Sequence, residues 1–173
     1  MAHSDHSDGS RGPDHRLSDR RGHDRRDRVA IHCEATSFDP EAARPLSFAA
    51  IRIRGPRILT GSALLLHPGS DTGLAEAGDR LHAFIGDRPL VGYYLDFSVA
   101  MAERLTGRPL SDERTEVSSL YYDRKIRSLS KQAVDLRLDS MVRDLDLPVR
   151  PDGAFGIALT AAMAWLRLTQ DGR

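Results

Sequence analysis

Residues Leu46 to Leu66 read LSFAAIRIRGPRILTGSALLL, and this segment is the clearest indication of the architecture. It contains two apolar runs, Leu46–Ile53 and Ile58–Leu66, separated by Gly55-Pro56, a dipeptide typical of turns. At the end of the first run isoleucine alternates with arginine, which is typical of a strand that buries one face. The segment therefore predicts a β-hairpin.

A third strand is predicted just upstream of the hairpin. Val29–Cys33 reads VAIHC, a short apolar run typical of a buried strand, and it completes an antiparallel meander. Downstream, the apolar spacing predicts a helix, a strand, a helix, a strand and two helices, at residues 74–85, 89–94, 96–105, 117–122, 132–145 and 155–168. Leading strands covered by later helices predict a mixed-sheet α/β domain.

Composition excludes several classes of protein. The chain has 173 residues, a length typical of one domain, and its 25 basic and 25 acidic side chains cancel, so it lacks strong non-specific attraction to nucleic acid or anionic membranes. A single cysteine, Cys33, excludes an internal disulfide and a zinc site built from cysteines. With neither a secretory signal nor an apolar run of the roughly 20 residues that span a bilayer, we expect a cytoplasmic protein without membrane contact.

Residues 1–27 differ in composition from the rest of the chain. Met1 and Leu17 are their only large apolar residues, and Arg, Asp, His, Ser and Gly make up nearly all the others. Such a segment buries too little apolar surface to offset an ordering entropy of about 1–2 kcal/mol per residue. We therefore expect a disordered polar tail over residues 1–27 and a folded domain over residues 28–170.

Several separated segments of the predicted domain carry recognisable motifs. His32–Pro40 reads HCEATSFDP, and Leu90–Met101 reads LVGYYLDFSVAM. They resemble the first and second motifs of the DEDD 3′–5′ exonucleases, the group of the DNA polymerase III proofreading subunit and RNase T, and the second is most similar to a bacterial subgroup that reads VGYYLEFDVAM. Glu116–Lys125 and Asp135–Asp139 resemble further stretches of that subgroup, and Ala154–Leu168 stands where the third motif is expected. The resemblance implies an RNase H-like fold, with a mixed sheet of about five strands flanked by helices.

The resemblance also implies a catalytic site, in which two divalent ions lie between four carboxylates and a general base activates water. Mg²⁺ and Mn²⁺ prefer oxygen ligands. In this sequence the first carboxylate position is His32, the second is retained as Glu34, and the aspartate of the second motif is Ser98. The base position is Ala154, and the last aspartate is Leu159. His32 and Glu34 are therefore the candidate metal ligands, and they would hold an ion weakly at most.

These substitutions favour a catalytically inactive exonuclease-fold protein that acts as a binding or regulatory module without a cofactor. We expect an unidentified protein partner and weak binding of single-stranded nucleic acid. The partner surface is expected at the apolar face left by Ala154 and Leu159, or on the helix that begins near Gln132. Arg52, Arg54, Arg57 and the cluster Arg124, Lys125 and Arg127 are the candidate phosphate contacts.

The alternative is an active 3′–5′ exonuclease on single-stranded DNA or RNA, with a rebuilt Mg²⁺ or Mn²⁺ site. Asp96 and Asp152 are the nearest acids that could replace a lost ligand, since each lies two residues before a substituted position. The subgroup already carries an acid at the position of Asp96, which argues against a relocated ligand there. Tyr93 and Tyr94 are open to two interpretations, as packing residues at a strand end or as platforms on which nucleobases stack.

Overall fold

The computed structural model describes residues 27–70, 73–127 and 133–170. The predicted tail lies outside these residues except for Asp27, whose carboxylate accepts hydrogen bonds from Nε and Nη2 of the Arg54 guanidinium. In the part of the chain that the structure describes, no helix is long and apolar enough to cross a bilayer.

Five strands form one mixed sheet in the order β3-β2-β1-β4-β5. They are β1 Arg28–Ala35, β2 Pro45–Arg54, β3 Arg57–Leu66, β4 Leu90–Gly92 and β5 Arg114–Glu116. β2 pairs antiparallel with both β1 and β3, so the predicted meander is confirmed. β4 runs parallel to β1, and β5 runs parallel to β4.

Five helices accompany the sheet: α1 Leu74–Ile85, α2 Leu95–Thr106, α3 Val117–Arg127, α4 Leu138–Asp144 and α5 Gly153–Gln170. The bounds of α1 coincide with the predicted helix. α1 ends at Gly86, whose positive φ of 55° suits glycine and whose N–H donates to the His82 carbonyl oxygen at 2.8 Å.

The sheet lies between two helical layers because its strands alternate buried side chains between two faces. On β1, Val29, Ile31 and Cys33 face α1 and α2. Ala30, from the opposite face, belongs to the core that α3, α4 and α5 form. Fully burying a valine or isoleucine side chain contributes about 1.5–3 kcal/mol to the free energy of unfolding. Because β1 buries side chains on both of its faces, it stabilises both helical layers.

The prediction of a strand over residues 117–122 is wrong. β5 ends at Glu116, and α3 begins at the next residue. Val117 and Tyr121 are the buried positions of α3, and their spacing of four residues is helical. The Glu116 carboxylate accepts hydrogen bonds from the Ser118 N–H at 3.2 Å and hydroxyl at 2.8 Å, which caps the first turn.

The helix predicted over residues 132–145 is shorter than expected. Residue 132 lies outside the described residues, and α4 begins only at Leu138. The Asp135 carboxylate accepts hydrogen bonds from the Arg137 N–H at 3.0 Å and the Ser140 hydroxyl at 2.6 Å. Such local bonds from an aspartate favour a turn over a helix, which explains the late start.

α1 and α2 approach each other most closely at Gly78. A Cβ atom on Gly78 would lie 2.6 Å from the carbonyl oxygen of Leu105, a backbone atom of α2. Because backbone cannot rotate aside as a flexible side chain does, a larger residue must push the two helices apart.

We expect Gly78→Ala to lower the free energy of unfolding by about 1–3 kcal/mol, the usual cost of overpacking. The change opposes the helix propensity of alanine, which alone favours it by about 1 kcal/mol. Urea unfolding followed by circular dichroism measures the effect. Gly61→Ala is the matched control, since a Cβ there meets open space, and it should shift stability by no more than about 0.5 kcal/mol. A wild-type midpoint for Gly78→Ala would contradict the close helix contact.

Candidate functional site

The carboxyl ends of β1, β4 and β5 meet at one edge of the sheet because the three strands run parallel. In α/β proteins, ligands bind in crevices at this edge. β1 carries His32 and Glu34 near its end, β4 is followed by Tyr93 and Tyr94, and β5 ends at Glu116. We call the region around these five residues the cleft.

His32 is buried in the cleft, with 9% of its surface exposed. Its Nδ1 atom has no hydrogen-bond partner among the described residues. Burial lowers the pKa of His32, and the Glu34 carboxylate and a hydrogen bond with the Tyr93 backbone oppose that shift without reversing it. The imidazole is therefore neutral at pH 7.

Glu34 follows His32 on the same face of β1 and is half-buried. Its Oε2 accepts a hydrogen bond from the Ser47 hydroxyl at 2.7 Å. Ser47 stands opposite Glu34 in the register of β1 and β2, so this bond joins two neighbouring strands. Glu34, the acid that the sequence analysis assigned to the first motif, is thus hydrogen-bonded within the sheet.

Ser98, in the first turn of α2, is fully buried. Its hydroxyl oxygen accepts the backbone N–H of Cys33 at 3.1 Å. On the side of β1 that faces β4, pairing extends only to Val29 and Ala30. The N–H of Cys33 therefore finds no backbone acceptor in β4. Ser98 therefore replaces a missing ladder partner. Burial also raises the pKa of the Cys33 thiol to about 12, which disfavours the reactive thiolate form.

The N-terminal half of α5 lies over β2 beside the cleft. Ala154 is 4% exposed, and it packs with Ala158 against Ala49 and Ile51. Leu159 is half-buried against the same cluster. Ala49 is the β2 residue opposite His32. The expectation that Ala154 leaves an apolar face for a partner is wrong, because its methyl group fills the space between α5 and the sheet.

The structure brings no further acids into a metal-binding arrangement within the described residues. Asp96 and Asp152, the two replacement acids considered from the sequence, are both exposed. Across residues 27–70, 73–127 and 133–170, no group of three or more His, Cys, Asp or Glu side chains is placed to hold a metal ion.

Aromatic side chains cluster at the mouth of the cleft. The Phe38 ring centroid lies 6.4 Å from that of Tyr94 and 5.9 Å from that of Phe97, and those of Tyr93 and Tyr94 are 4.6 Å apart. Phe38 is 84% exposed and Tyr94 60%. The Tyr93 hydroxyl donates to the Leu136 carbonyl oxygen at 3.1 Å, so Tyr93 packs while Tyr94 remains accessible. We call Phe38, Tyr93, Tyr94 and Phe97 the aromatic cluster.

Tyr94 also carries an unusual backbone conformation. Its φ of 53° is left-handed, which is uncommon for a residue other than glycine, and it directly precedes α2. Glu116, which the sequence reasoning did not single out as a site residue, supports this turn: its Oε2 accepts the Leu95 N–H at 2.8 Å. One carboxylate thus caps both α2 and α3. A helix predicted from Val117 onward would have indicated Glu116 as its capping residue, because acidic residues are preferred at helix starts.

Comparison with known proteins gives structural neighbours. No protein-family model matches the chain, and no curated protein matches it by sequence. The zinc-bound complex of E. coli exonuclease I with single-stranded DNA matches 86% of this chain at 16% identity, with a TM-score of 0.67. The exonuclease I structure that suggested how processivity is achieved matches 84% of it at 13% identity, with a TM-score of 0.65. The ExoI/SSB-Ct complex matches 86% at 16% identity, also with a TM-score of 0.65.

The chain has an RNase H-like fold. This confirms the fold expected from the motifs, an α/β domain whose mixed sheet is flanked by helices. The chain spans about two fifths of the length of these exonuclease I chains, with coverages of 41% and 42%.

Three of the five residues that the sequence analysis assigned to motif positions lie at the end of β1, and the other two lie on α5 against β2. His32 and Glu34 project from the strand, and Ser98 touches the backbone between them. Ala154 and Leu159 reach the neighbouring strand from α5. These five positions therefore combine one carboxylate that accepts a hydrogen bond, one buried imidazole, one buried hydroxyl and two apolar side chains, while the other carboxylate of the cleft, Glu116, caps α2 and α3.

We expect Ser98→Ala to lower the free energy of unfolding by about 1–3 kcal/mol, because it leaves the buried Cys33 N–H without an acceptor. Urea unfolding of the purified variant measures the loss. Ser62→Ala is the control, since that exposed hydroxyl donates only to the Leu59 carbonyl oxygen at 3.3 Å and should change stability by less than about 0.5 kcal/mol. Equal midpoints for the two variants would show that Ser98 does not complete the ladder.

Proposed function

We propose that this chain is a catalytically inactive exonuclease-fold protein, a pseudoenzyme that works by binding. The observation that carries the proposal is the state of its one retained acid. Glu34 accepts the Ser47 hydroxyl at 2.7 Å and stands beside a neutral, buried His32. The proposed ligand of the cleft is single-stranded nucleic acid, bound weakly.

The donor set in the cleft does not fit two divalent ions. The exonuclease motifs place four carboxylates around those ions, and this chain retains one of them, so about one negative charge faces four positive charges. Ser98 is fully buried and its oxygen already accepts the Cys33 N–H. Leu159 and Ala154 offer no ligand atom. A dication here would lose its hydration without gaining the oxygen ligands that replace it.

The aromatic cluster supports single strands as the ligand of the cleft. Stacking of a base on an aromatic ring contributes about 1–3 kcal/mol per base and depends little on sequence, because every base presents a π-face. Phe38 and Tyr94 are exposed neighbours, and exposed apolar side chains that form a contiguous patch mark interaction sites. Solved complexes of the neighbour E. coli exonuclease I with single-stranded DNA are consistent with this ligand class.

The charged residues explain why the expected binding is weak. The guanidinium of Arg52 lies over the Phe84 ring of α1 at 4.7 Å, whereas the Lys125 ammonium of α3 pairs with Asp144 at 2.7 Å. These cations lie on opposite sides of the sheet and cannot follow one phosphate backbone. Since phosphate neutralisation dominates affinity for nucleic acid, we expect a dissociation constant of roughly micromolar or weaker at physiological salt.

The first test is nuclease activity. We expect no trimming of single-stranded DNA or RNA with Mg²⁺ or Mn²⁺, followed on denaturing gels with 5′-labelled oligonucleotides. Restoring the motif carboxylates and base with His32→Asp, Ser98→Asp, Ala154→His and Leu159→Asp should create divalent-ion binding that calorimetry detects. We expect this variant to be less stable, since Ser98 and Ala154 are buried and a buried carboxylate is costly.

Two outcomes would contradict this reasoning. Processive 3′ trimming by the wild type that Glu34→Ala abolishes would establish the alternative, an active exonuclease with a rebuilt metal site. A folded quadruple variant that binds no Mn²⁺ would show that the assignment of Ala154 and Leu159 to the third motif is wrong.

The second test is binding of single strands by fluorescence anisotropy at two salt concentrations. We expect Phe38→Ala to weaken binding of a labelled oligonucleotide by about five- to a hundred-fold, the loss of one stacked base. Tyr122→Ala removes an aromatic ring that is 45% exposed on α3, outside the aromatic cluster, and should leave affinity unchanged. Equal losses for both variants, or nanomolar binding with a steep salt dependence, would contradict a weak aromatic site.

A further inference from the structure

A second concave site lies where the start of β2 meets α1 and the end of α2. Its cavity volume is about 650 Å³, within the range of about 300–1,000 Å³ typical of ligand pockets. Leu46, Leu74 and Leu105 line it above Met101, which is fully buried. We call this site the leucine groove. Its lining includes no residue of the cleft or of the aromatic cluster.

The apolar surface of the leucine groove is unusually accessible. Leu46 is 54% exposed and Leu74 is 58% exposed. Single exposed leucines are normal on a protein surface, but two that line one concavity over a buried methionine form a continuous apolar patch. Such patches, when rimmed by polar groups, mark interaction sites.

The rim of the groove is positively charged. Arg104 donates hydrogen bonds to the carbonyl oxygens of Pro40 and Ala43, which hold its guanidinium in place. The Arg44 side chain makes no hydrogen bond or ion pair with any residue that the structure describes, and it is exposed. Among the described residues that line the groove, none is acidic. Within the part of the chain that the structure describes, the groove thus offers apolar contacts beside an arginine that has no acidic partner.

We propose that the leucine groove docks a short peptide segment of a partner protein, in which leucine or phenylalanine side chains stand next to an acidic residue. The apolar side chains of the peptide would cover Leu46 and Leu74, and its acid would pair with Arg44. A guanidinium can donate two parallel hydrogen bonds to one carboxylate, which makes arginine well suited to this role. Two arginines are too few to follow a phosphate backbone, and the groove lining contains no aromatic ring for base stacking. The inference is independent of whether the cleft is catalytic.

Selection from a displayed library of random twelve-residue peptides tests the proposal with the full-length protein. We expect enriched sequences that combine leucine or phenylalanine with aspartate or glutamate. Labelled copies of those peptides should bind with at least ten-fold lower affinity to Arg44→Glu and to Leu74→Asp. Both substituted residues are exposed, so the fold should tolerate the changes.

Matched controls lie outside the groove. Arg57→Glu makes the same charge reversal and Leu65→Asp the same apolar loss at exposed positions of β3, and neither should change peptide affinity by more than about two-fold. Arg44→Glu used as the selection target should instead enrich peptides that pair apolar residues with lysine or arginine. Phe38→Ala should leave peptide binding intact, which separates this site from the aromatic cluster.

Several results would overturn the proposal. They are a library that yields no enriched peptide, enriched peptides without acidic residues, and affinities that Arg44→Glu and Leu74→Asp leave unchanged. A concentration-dependent dimer in sedimentation that Leu74→Asp abolishes would assign the groove to a second copy of this chain instead.

Discussion

One buried backbone N–H governs the end of the sheet where the cleft lies. β4 is three residues long and β1 is eight, so the sheet runs out on one side of β1 before β1 itself ends. A buried N–H without an acceptor costs about 1–3 kcal/mol, and Cys33 presents one at this point. The Ser98 hydroxyl accepts it at 3.1 Å, and in doing so joins α2 to the central strand. Ser98 thus completes the hydrogen bonding of the sheet where β4 has ended.

Small apolar side chains beside the cleft pack α5 onto the sheet. Four carboxylates at one site repel each other and require cations between them, whereas alanine and leucine can be buried at little cost. Ala154 and Ala158 lie directly on Ala49 and Ile51, so small side chains on both elements let α5 approach β2 closely. The remaining acid, Glu34, is held by Ser47 across the strand register. Among the described residues, the cleft holds no group of acids whose mutual repulsion would require bound cations.

Local patterns identified most of the architecture. The meander, α1 and α5 all follow from long runs of regular periodicity, in which several residues indicate the same element. The segment after Glu116 was misread because a few apolar residues fit a strand as well as a helix, and the bond from Glu116 to Ser118 favours the helix. The start of α4 was misplaced because Asp135 bonds to nearby backbone and ends the helical pattern early.

The sequence by itself determined the three-stranded meander, the bounds of α1 and the side chains that β1 carries near its end, His32 and Glu34. Tertiary structure decided what the polar and apolar side chains around them do. Cys33 and Ser98 are 65 residues apart, and only the crossing of α2 over β1 shows that the serine is a hydrogen-bond acceptor. Likewise, the burial of Ala154 and the accessibility of Leu46 and Leu74 depend on elements distant in sequence. Periodicity reports which face of an element is apolar, but burial and hydrogen bonding depend on what another part of the chain places against that face.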